Sequence, residues 1–359
     1  MDDLSLAEVL AMTAGDERRG LTGSARLVIL LASLIGLGVA AVAIGAVGLG
    51  QVLAVISRLG AGGLILYAAY SAATVLLLGG AWASAAPPLG IRRHLLLFSW
   101  ARMVREAASD ILPFSQVGGL IIGVRMLIAR GIAAPLATAA VLVDLTTEMA
   151  GQIVFTLFGI VGFVLLREGA ADSAALLAPI AIGAGVMAAL MVALFAAQRW
   201  ALGFARLLLG RMLPALGDSI GETSAALARI YAHRGRVAAA FAFNLAGWVA
   251  SAAGAWIALA LMGERLPLTN VLVIESLIFV LRSVAFAIPG GIGVQEAAYA
   301  LLGPLLGLPA PAALALSLAK RARDLAIGVP ALIAWQAGEA RAIARRAGLA
   351  ESAGKGEAL

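Results

Sequence analysis

Cysteine is absent from the 359-residue chain, and histidine occurs only twice. The absence of cysteine excludes disulfide bonds, thiolate metal sites and cysteine nucleophiles. His94 and His233 lie at the edges of hydrophobic segments, without the spacing of metal ligands. Hydrolase, nucleotide-binding and dinucleotide-binding motifs are also missing. We therefore expect no metal and no cofactor, and the sequence favours a transporter-like protein over an enzyme.

Charged side chains are scarce, at 13% of the chain, against 62% hydrophobic residues and a mean hydropathy of +1.00. A soluble fold needs more polar surface than this composition supplies. Long apolar segments reach the roughly 20 residues with which a helix crosses a bilayer, and in lipid they can satisfy their backbone only as helices. These segments are residues 25–47, 62–86, 136–166, 174–197, 237–262 and 312–335. The sequence thus predicts an all-α polytopic membrane protein.

The basic residues outnumber the acids, 26 to 20, but they lie in loops beside hydrophobic segments. This distribution indicates topology and contact with anionic lipid, and it argues against nucleic acid as a partner. Arginines crowd residues 199–236, which we interpret as a cytoplasmic amphipathic insertion, with a solvated loop as the alternative. Residues 25–340 then form one transmembrane domain, and the segments 1–24 and 341–359 lie in the cytoplasm.

A stretch of the chain is repeated at a separation of 176 positions, as from 131 to 307. The matched pairs are Pro113 with Pro289, Gly131 with Gly307, Pro135 with Pro311, Asp144 with Lys320 and Glu148 with Asp324. Repeated helical segments that are broken and carry charges are how many transporters build a binding site at the membrane midplane. We place repeat one at about 62–166 and repeat two at about 237–338.

Each repeat contains a hydrophobic section with a break. In the first, the apolar pieces 94–108 and 117–128 are each too short to cross a core of about 30 Å, which favours a re-entrant hairpin. In the second, the break lies near Pro289, although residues 268–288 alone are long enough to span. Loops rich in arginine and lysine favour the cytoplasmic side, and this preference predicts that the two hairpins enter the membrane from opposite faces. We therefore predict two inverted repeats, each with a broken re-entrant hairpin.

Ionisable residues inside hydrophobic segments are costly and normally face a partner, a cavity or a substrate. Asp144 and Glu148 lie four residues apart and project from one helix face. One interpretation is that they neutralise Arg102, Arg105 or Arg125 of the first hairpin, which does not exclude a role in gating. The full set of candidates for gating or proton relay is Asp144, Glu148, Glu275, Glu296, Lys320 and Asp324.

The last hydrophobic segment carries four charged residues, among which Lys320 and Asp324 are spaced to pair with each other. A closed salt-bridge network is one interpretation of these charges. In the other, cations of the second repeat bind an anionic headgroup. The candidate headgroup ligands are Arg282, Arg321, Arg323, Gly290, Gly291 and Gly293.

The glycines of that set precede a helix that we predict to begin near Val294. Glycine lets the backbone approach a ligand, and the free N–H groups of a helix start favour phosphate or carboxylate. The alternative is a tight hairpin tip that is capped by Glu296. The first hairpin supplies the corresponding candidates Arg105, Pro113, Gln116, Gly118, Gly119 and Arg125.

Residues 288–296, with the sequence IPGGIGVQE, resemble the PGGIGxxE signature of the lysylphosphatidylglycerol synthase transmembrane-region, or flippase-like, superfamily. Residues 109–119 with Arg125, followed by residues 144–148, resemble its hopanoid-biosynthesis-associated HpnL-type branch. The resemblance extends from about residue 25 to 335. It implies a lipid-handling membrane protein similar to the flippase portion of aminoacyl-phosphatidylglycerol synthases. The chain lacks their soluble aminoacyl-transferase domain, so we expect no lysyl-phosphatidylglycerol synthesis.

From the residues and this resemblance we expect a flippase-like protein that moves a lipid or lipid-linked precursor, hopanoid-related, between leaflets of the bacterial inner membrane. Its expected partners are anionic or hopanoid-related membrane lipids and enzymes of lipid biosynthesis. A membrane-embedded transferase that attaches a hopanoid or similar group to a lipid acceptor is the alternative. A scaffold without chemistry of its own is the third hypothesis.

Overall fold

The computed structural model describes residues 48–86, 91–111, 115–166, 214–284 and 293–356, together with the single residues 42, 185, 189 and 192. Several sequence predictions lie outside these residues. They are the segment 1–24, the segments 25–47 and 174–197 apart from those single residues, residues 199–213 of the insertion, and Pro113, Gly290 and Gly291.

The described residues form nine α-helices and no strand, which confirms the all-α prediction for this part of the chain. In chain order they are α1 Leu49–Ser84, α2 Ile91–Ile111, α3 Ser115–Ile128, α4 Ala134–Leu166, α5 Pro214–Ala232, α6 Arg234–Leu261, α7 Leu268–Val284, α8 Val294–Leu305 and α9 Ala310–Gly356. Within the described ranges, α1, α4 and α6 are long and apolar enough to cross a membrane.

The helix boundaries follow local backbone chemistry. Gly60, with φ 61° and ψ 176°, breaks the helical geometry of α1, so the part after it matches the predicted segment 62–86. Pro214 is the first residue of α5, a position where its missing N–H removes no helical hydrogen bond. α2 has 21 residues, about 31 Å at the rise of an α-helix, and is longer than the predicted piece 94–108.

The element order of the first repeat returns in the second with the same separation of 176 positions. α4 begins at Ala134 and α9 at Ala310, each after a glycine with φ near +85°. The turns share their hydrogen bonds: Ile132 N donates to the Leu127 carbonyl at 3.2 Å, and Leu308 N to the Gly303 carbonyl at 2.9 Å. The repeat is therefore one of helices and turns as well as of sequence. The inverted direction of the two units and their re-entrant insertion stay predictions.

Glycines allow the helices to approach closely. α1 packs against α2, α6 and α9, while α4 packs against α5, α6 and α7. A Cβ at Gly162 of α4 would lie 2.5 Å from Val273 of α7, and one at Gly254 of α6 would lie 3.0 Å from Tyr70 of α1. Small residues at such contacts are typical of helix packing in membranes.

The apolar side chains form two buried clusters. The first joins the end of α1 to α2, α3, α4 and α5, and it includes Trp82 and Phe98 with ring centroids 5.7 Å apart. The second joins α1 and α4 to α6, α7, α8 and α9 around Tyr67 and Tyr299. Large apolar residues such as Ile65, Val161 and Ile333 are instead exposed, as lipid-facing side chains are. Buried ionic side chains lie on helices of both clusters.

Candidate functional site

Two arginines of α2 and two acids of α4 form the first ionic cluster, defined as Arg102, Arg105, Asp144 and Glu148. Asp144 Oδ2 accepts from Arg102 Nη1 at 2.5 Å and from Arg105 Nη1 at 2.7 Å. The Glu148 oxygens accept from Arg102 Nη2 at 2.5 Å and from Arg105 Nη2 at 2.9 Å. Each arginine thus contacts both acids, because spacings of three and four residues place each pair on one helix face.

The first ionic cluster is largely enclosed by protein, and its two arginines balance its two acids. The side chains of Asp144 and Arg102 are 0% and 1% exposed. Asn244 of α6 donates to Asp144 Oδ1 at 3.3 Å, and Trp82 places its ring 5.8 Å from the Arg105 guanidinium carbon. Glu106 lies at the rim, 2.8 Å from Arg102 Nε but outside hydrogen-bond alignment. The interpretation in which the acids neutralise Arg102 and Arg105 therefore describes this cluster.

Arg125 does not join the acids of α4. Its side chain is 61% exposed and contacts Glu339 of α9 at 3.3 Å. Two further candidates of the first hairpin, Gly118 and Gly119, lie inside α3. A Cβ at Gly119 would come within 2.7 Å of the Arg105 carbonyl oxygen, so this glycine permits contact between α2 and α3. Gln116 is also in α3, and its side chain lies outside the described part.

Three cations of α9 contact three different groups of neighbours, because successive helical positions turn by about 100°. Lys320 pairs with Glu275 of α7 and donates to the Tyr299 hydroxyl of α8 at 3.0 Å. Tyr299 in turn donates to Glu275. Helical spacing allows Lys320 to pair with Asp324, but the Lys320 ammonium pairs with the acid of α7 instead. Glu275, Tyr299 and Lys320 form the second ionic cluster, and all three are buried.

Arg321 forms a two-pronged salt bridge with Glu296 of α8. Arg321 Nε lies 2.6 Å from Oε1 and Nη2 lies 3.1 Å from Oε2. Glu296 also accepts from Gly293 N at 2.7 Å and from Ser317 Oγ at 3.0 Å. Gly293 has φ 81° and precedes the helix start at Val294, as predicted. The Gly293 N–H thus donates to the acid of its own helix, so Glu296 caps the start of α8.

Arg323 contacts the acid next to it and two hydroxyls of α1. Its Nε donates to Asp324 Oδ1 at 3.0 Å, and Nη2 donates to the same oxygen. Nη1 lies 3.2 Å from Tyr67 Oη and 3.5 Å from Ser71 Oγ. Arg282, on α7, is half-buried and acts electrostatically on Lys320 and Tyr299.

Several polar residues of these groups were missed by the sequence predictions. Tyr299 and Ser317 lie one turn from Glu296 and from Lys320, so helical spacing from the charged residues could have found them. Asn244 is a single amide in apolar α6. Tyr67 and Ser71 lie more than 250 positions from Arg323, and no local pattern connects them. Among the described residues, no group of three histidines and acids could hold a metal ion.

Residues 29–331 match the family model described as Lysylphosphatidylglycerol synthase TM region. No curated protein and no solved structure matches the chain. Because the family match covers most of the 359 residues, the chain belongs to that family. Membership and the apolar helices together make it a membrane protein, and the family suggests a role related to membrane lipids.

Proposed function

We propose that this chain, as a member of the Lysylphosphatidylglycerol synthase TM region family, moves a lipid or lipid-linked precursor with an anionic headgroup between membrane leaflets. The observation that carries the proposal is the set of three cations on α9, each paired with an acid beside apolar helices. Charges inside a hydrophobic segment such as 312–335 are costly, and in membrane proteins they normally mark a pathway for a substrate or ion. A hopanoid-related lipid in a bacterial inner membrane remains the specific substrate and location that we propose.

Differences in exposure suggest which cations meet the headgroup. Lys320 is 7% exposed, whereas the side chains of Arg321 and Arg323 are 27% and 15% exposed. Both guanidiniums can form paired hydrogen bonds with a phosphate. Arg321 and Arg323, with Arg282 nearby, are therefore our headgroup ligands. The closed clusters around Asp144 and Glu275 are assigned to gating.

Gating requires ion pairs that can exchange partners. The acids Asp144, Glu148, Glu275 and Glu296 each contact a cation from another helix, so a helix movement would alter these pairs. The hydrogen bonds that link Lys320, Tyr299 and Glu275 also form a short chain along which a proton could pass. We propose an inverted arrangement of the two repeats with cytoplasmic termini, which would expose the pathway to each leaflet in turn.

The proposal is tested by leaflet-resolved transport in proteoliposomes. Fluorescent phosphatidylglycerol, phosphatidylcholine and a hopanoid-like probe are placed in both leaflets, and dithionite reduces the accessible fraction. We expect the wild type to move the anionic probe. Arg321→Gln and Arg323→Gln should slow it at least about tenfold, because each substitution removes a charged hydrogen-bond donor. Arg58→Gln is the control, because Arg58 is 57% exposed and pairs with Glu264 at the surface.

Lipid mass spectrometry on the same vesicles separates the other hypotheses. A new lipid mass would establish a transferase in place of a flippase. Absence of both movement and a new mass for every probe would contradict the proposal and favour a scaffold. Equal transport by the wild type, Arg321→Gln and Arg323→Gln would refute the assignment of these arginines to the headgroup.

A further inference from the structure

The cations of α9 differ in how firmly their acids are held. Glu296, the partner of Arg321, is 2% exposed and also accepts from the Gly293 backbone and the Ser317 hydroxyl. Glu275, the partner of Lys320, is 3% exposed and also accepts from Tyr299. A ligand that displaced either acid would leave a buried carboxylate to be accommodated elsewhere, which is costly.

The partner of Arg323 is held less firmly. Asp324 is the next residue of the same helix, and adjacent helical side chains do not face each other. Both contacts from Arg323 reach one oxygen, Oδ1, and the Asp324 side chain is 26% exposed. The protein therefore encloses this carboxylate less than it encloses Glu275 and Glu296, so Asp324 can turn away from Arg323 more readily. Of the three pairs on α9, this one exchanges at the lowest cost.

Hydroxyl groups lie on the other side of the Arg323 guanidinium. Tyr67 and Ser71 are four residues apart on one face of α1, and both are buried. Their oxygens accept from Arg323 Nη1 at 3.2 and 3.5 Å. In the described part of the chain, neither O–H donates to another group. Two buried hydroxyl donors beside a guanidinium match the oxygens of a phosphate better than they match a single carboxylate.

We infer that Arg323, Tyr67 and Ser71 form a phosphate subsite, and that Asp324 occupies the Arg323 guanidinium until a phosphate displaces it. The inference rests on the proposed function and adds two ligands from α1. The incoming phosphate takes the Nη1 and Nη2 donors at the end of the guanidinium that adjoins the two hydroxyls, and it accepts from both hydroxyls. Asp324 then loses its Nη2 contact and turns outward. Tyr67 and Ser71 lie in the middle of a candidate membrane span, which favours a lipid phosphate over free phosphate.

Binding to the full-length protein in detergent tests the subsite independently of transport. The probes are short-chain phosphatidylglycerol, glycerol phosphate and inorganic phosphate, with binding measured by equilibrium titration. We expect Asp324→Asn to bind short-chain phosphatidylglycerol about threefold to tenfold more tightly, because the competing charge is removed. Tyr67→Phe and Ser71→Ala should each weaken it by about the same factor, because each removes one hydrogen bond to a charged group.

The controls for Tyr67→Phe and Ser71→Ala lie on the same helix, α1. Tyr70→Phe removes a hydroxyl that donates to the Ala250 carbonyl at 3.0 Å, away from Arg323. Ser57→Ala removes an exposed hydroxyl that donates to the Ala54 carbonyl. Both should leave probe affinity unchanged. Glu264→Gln is the control for Asp324→Asn, because it neutralises an acid of the surface pair with Arg58.

The outcomes separate this inference from the proposed function. Tighter binding by Asp324→Asn cannot arise from misfolding, so unchanged or weaker binding by this variant would overturn the inference. Equal affinities for Tyr67→Phe and Tyr70→Phe, or no binding of any probe to the wild type, would do the same. If the affinities follow the expected order but no lipid moves in vesicles, the subsite is supported and the flippase function is contradicted. Equal affinity for inorganic phosphate and the lipid would support the subsite with free phosphate as its ligand.

Discussion

Asp144 and Lys320 occupy the same position in the two repeated units, carry opposite charges and are both buried. Each lies on the third helix of its unit and pairs with the first helix of that unit: Asp144 with Arg102 and Arg105, Lys320 with Glu275. The two units thus hold similar ion pairs with reversed polarity. One unit presents acids on its long helix, and the other presents cations there, which gives the site an electrostatic asymmetry along the repeat.

Removing one member of the second ionic cluster should destabilise the protein strongly. Glu275→Gln or Lys320→Met leaves a buried charge without its partner, and we expect each to cost about 3–5 kcal/mol. The double variant should cost less than the sum, because no unpaired charge remains. Thermal unfolding in detergent measures these changes. Additive losses would contradict the pairing, and Arg58→Gln at the surface should cost at most about 1 kcal/mol.

Asp144 of the first ionic cluster should be more sensitive to neutralisation than Glu106 at its rim. Its Oδ2 accepts from both arginines and is inaccessible, so Asp144→Asn should cost about 3–5 kcal/mol. Glu106→Gln should cost no more than about 1 kcal/mol, because Glu106 is 39% exposed. Denaturant unfolding of the purified variants tests this order. Similar losses of unfolding free energy for the two substitutions would contradict the expectation that burial of the acid determines the cost of neutralising it.

The contact between α4 and α7 should not tolerate an added methyl group. A Cβ at Gly159 would lie 2.8 Å from the Ser276 Cβ, so we expect Gly159→Ala to cost about 1–3 kcal/mol by overpacking. Adding Ser276→Gly should recover part of the loss. Gly118→Ala is the matched control: its Cβ meets nothing within 4 Å, and alanine favours the helix by up to about 1 kcal/mol. Melting temperatures in detergent measure both effects. If Gly159→Ala behaved like the control, the close contact between Gly159 and Ser276 would be contradicted.

The turns before α4 and α9 should respond alike to substitution of their glycines. Gly131 and Gly307 have φ values of 84° and 87°, where an L side chain is strained. Alanine at either position should cost about 1–2 kcal/mol, and asparagine less. Unfolding midpoints compare the four variants, with Gly235→Ala as a helical control that has open space. Sensitivity at one turn alone would contradict the structural equivalence of the repeats.

Local sequence patterns predicted much of this architecture. The charged residues and the Gly–Pro turns marked the repeat, and the glycines before Val294 marked the start of α8. The spacing of Asp144 and Glu148 placed both acids on the face that meets Arg102 and Arg105. These predictions succeeded because helical periodicity and glycine conformation are properties of neighbouring residues.

The sequence predicted less well which residues the charged side chains form ion pairs with. Lys320 and Asp324 are spaced to pair on one helix, yet each contacts another residue. Arg125 was grouped with the buried acids, but the orientation of α3 brings it to Glu339 at the surface. A buried ammonium group pairs with a buried acid of a neighbouring helix, because leaving two buried charges unpaired would cost more free energy than leaving a more exposed acid without this cation.

The sequence by itself determined that this is a helical membrane protein with repeated, charged segments, because composition and periodicity fix which stretches can satisfy their backbone in lipid. The tertiary structure decided which ion pairs are enclosed by protein and which can exchange partners. Arg323 and Asp324 are neighbours in sequence, but only helix packing brings Tyr67 and Ser71 of α1 to the same guanidinium. These residues meet because α1 packs against α9, although Tyr67 and Arg323 are more than 250 positions apart in the sequence. No local pattern encodes that packing.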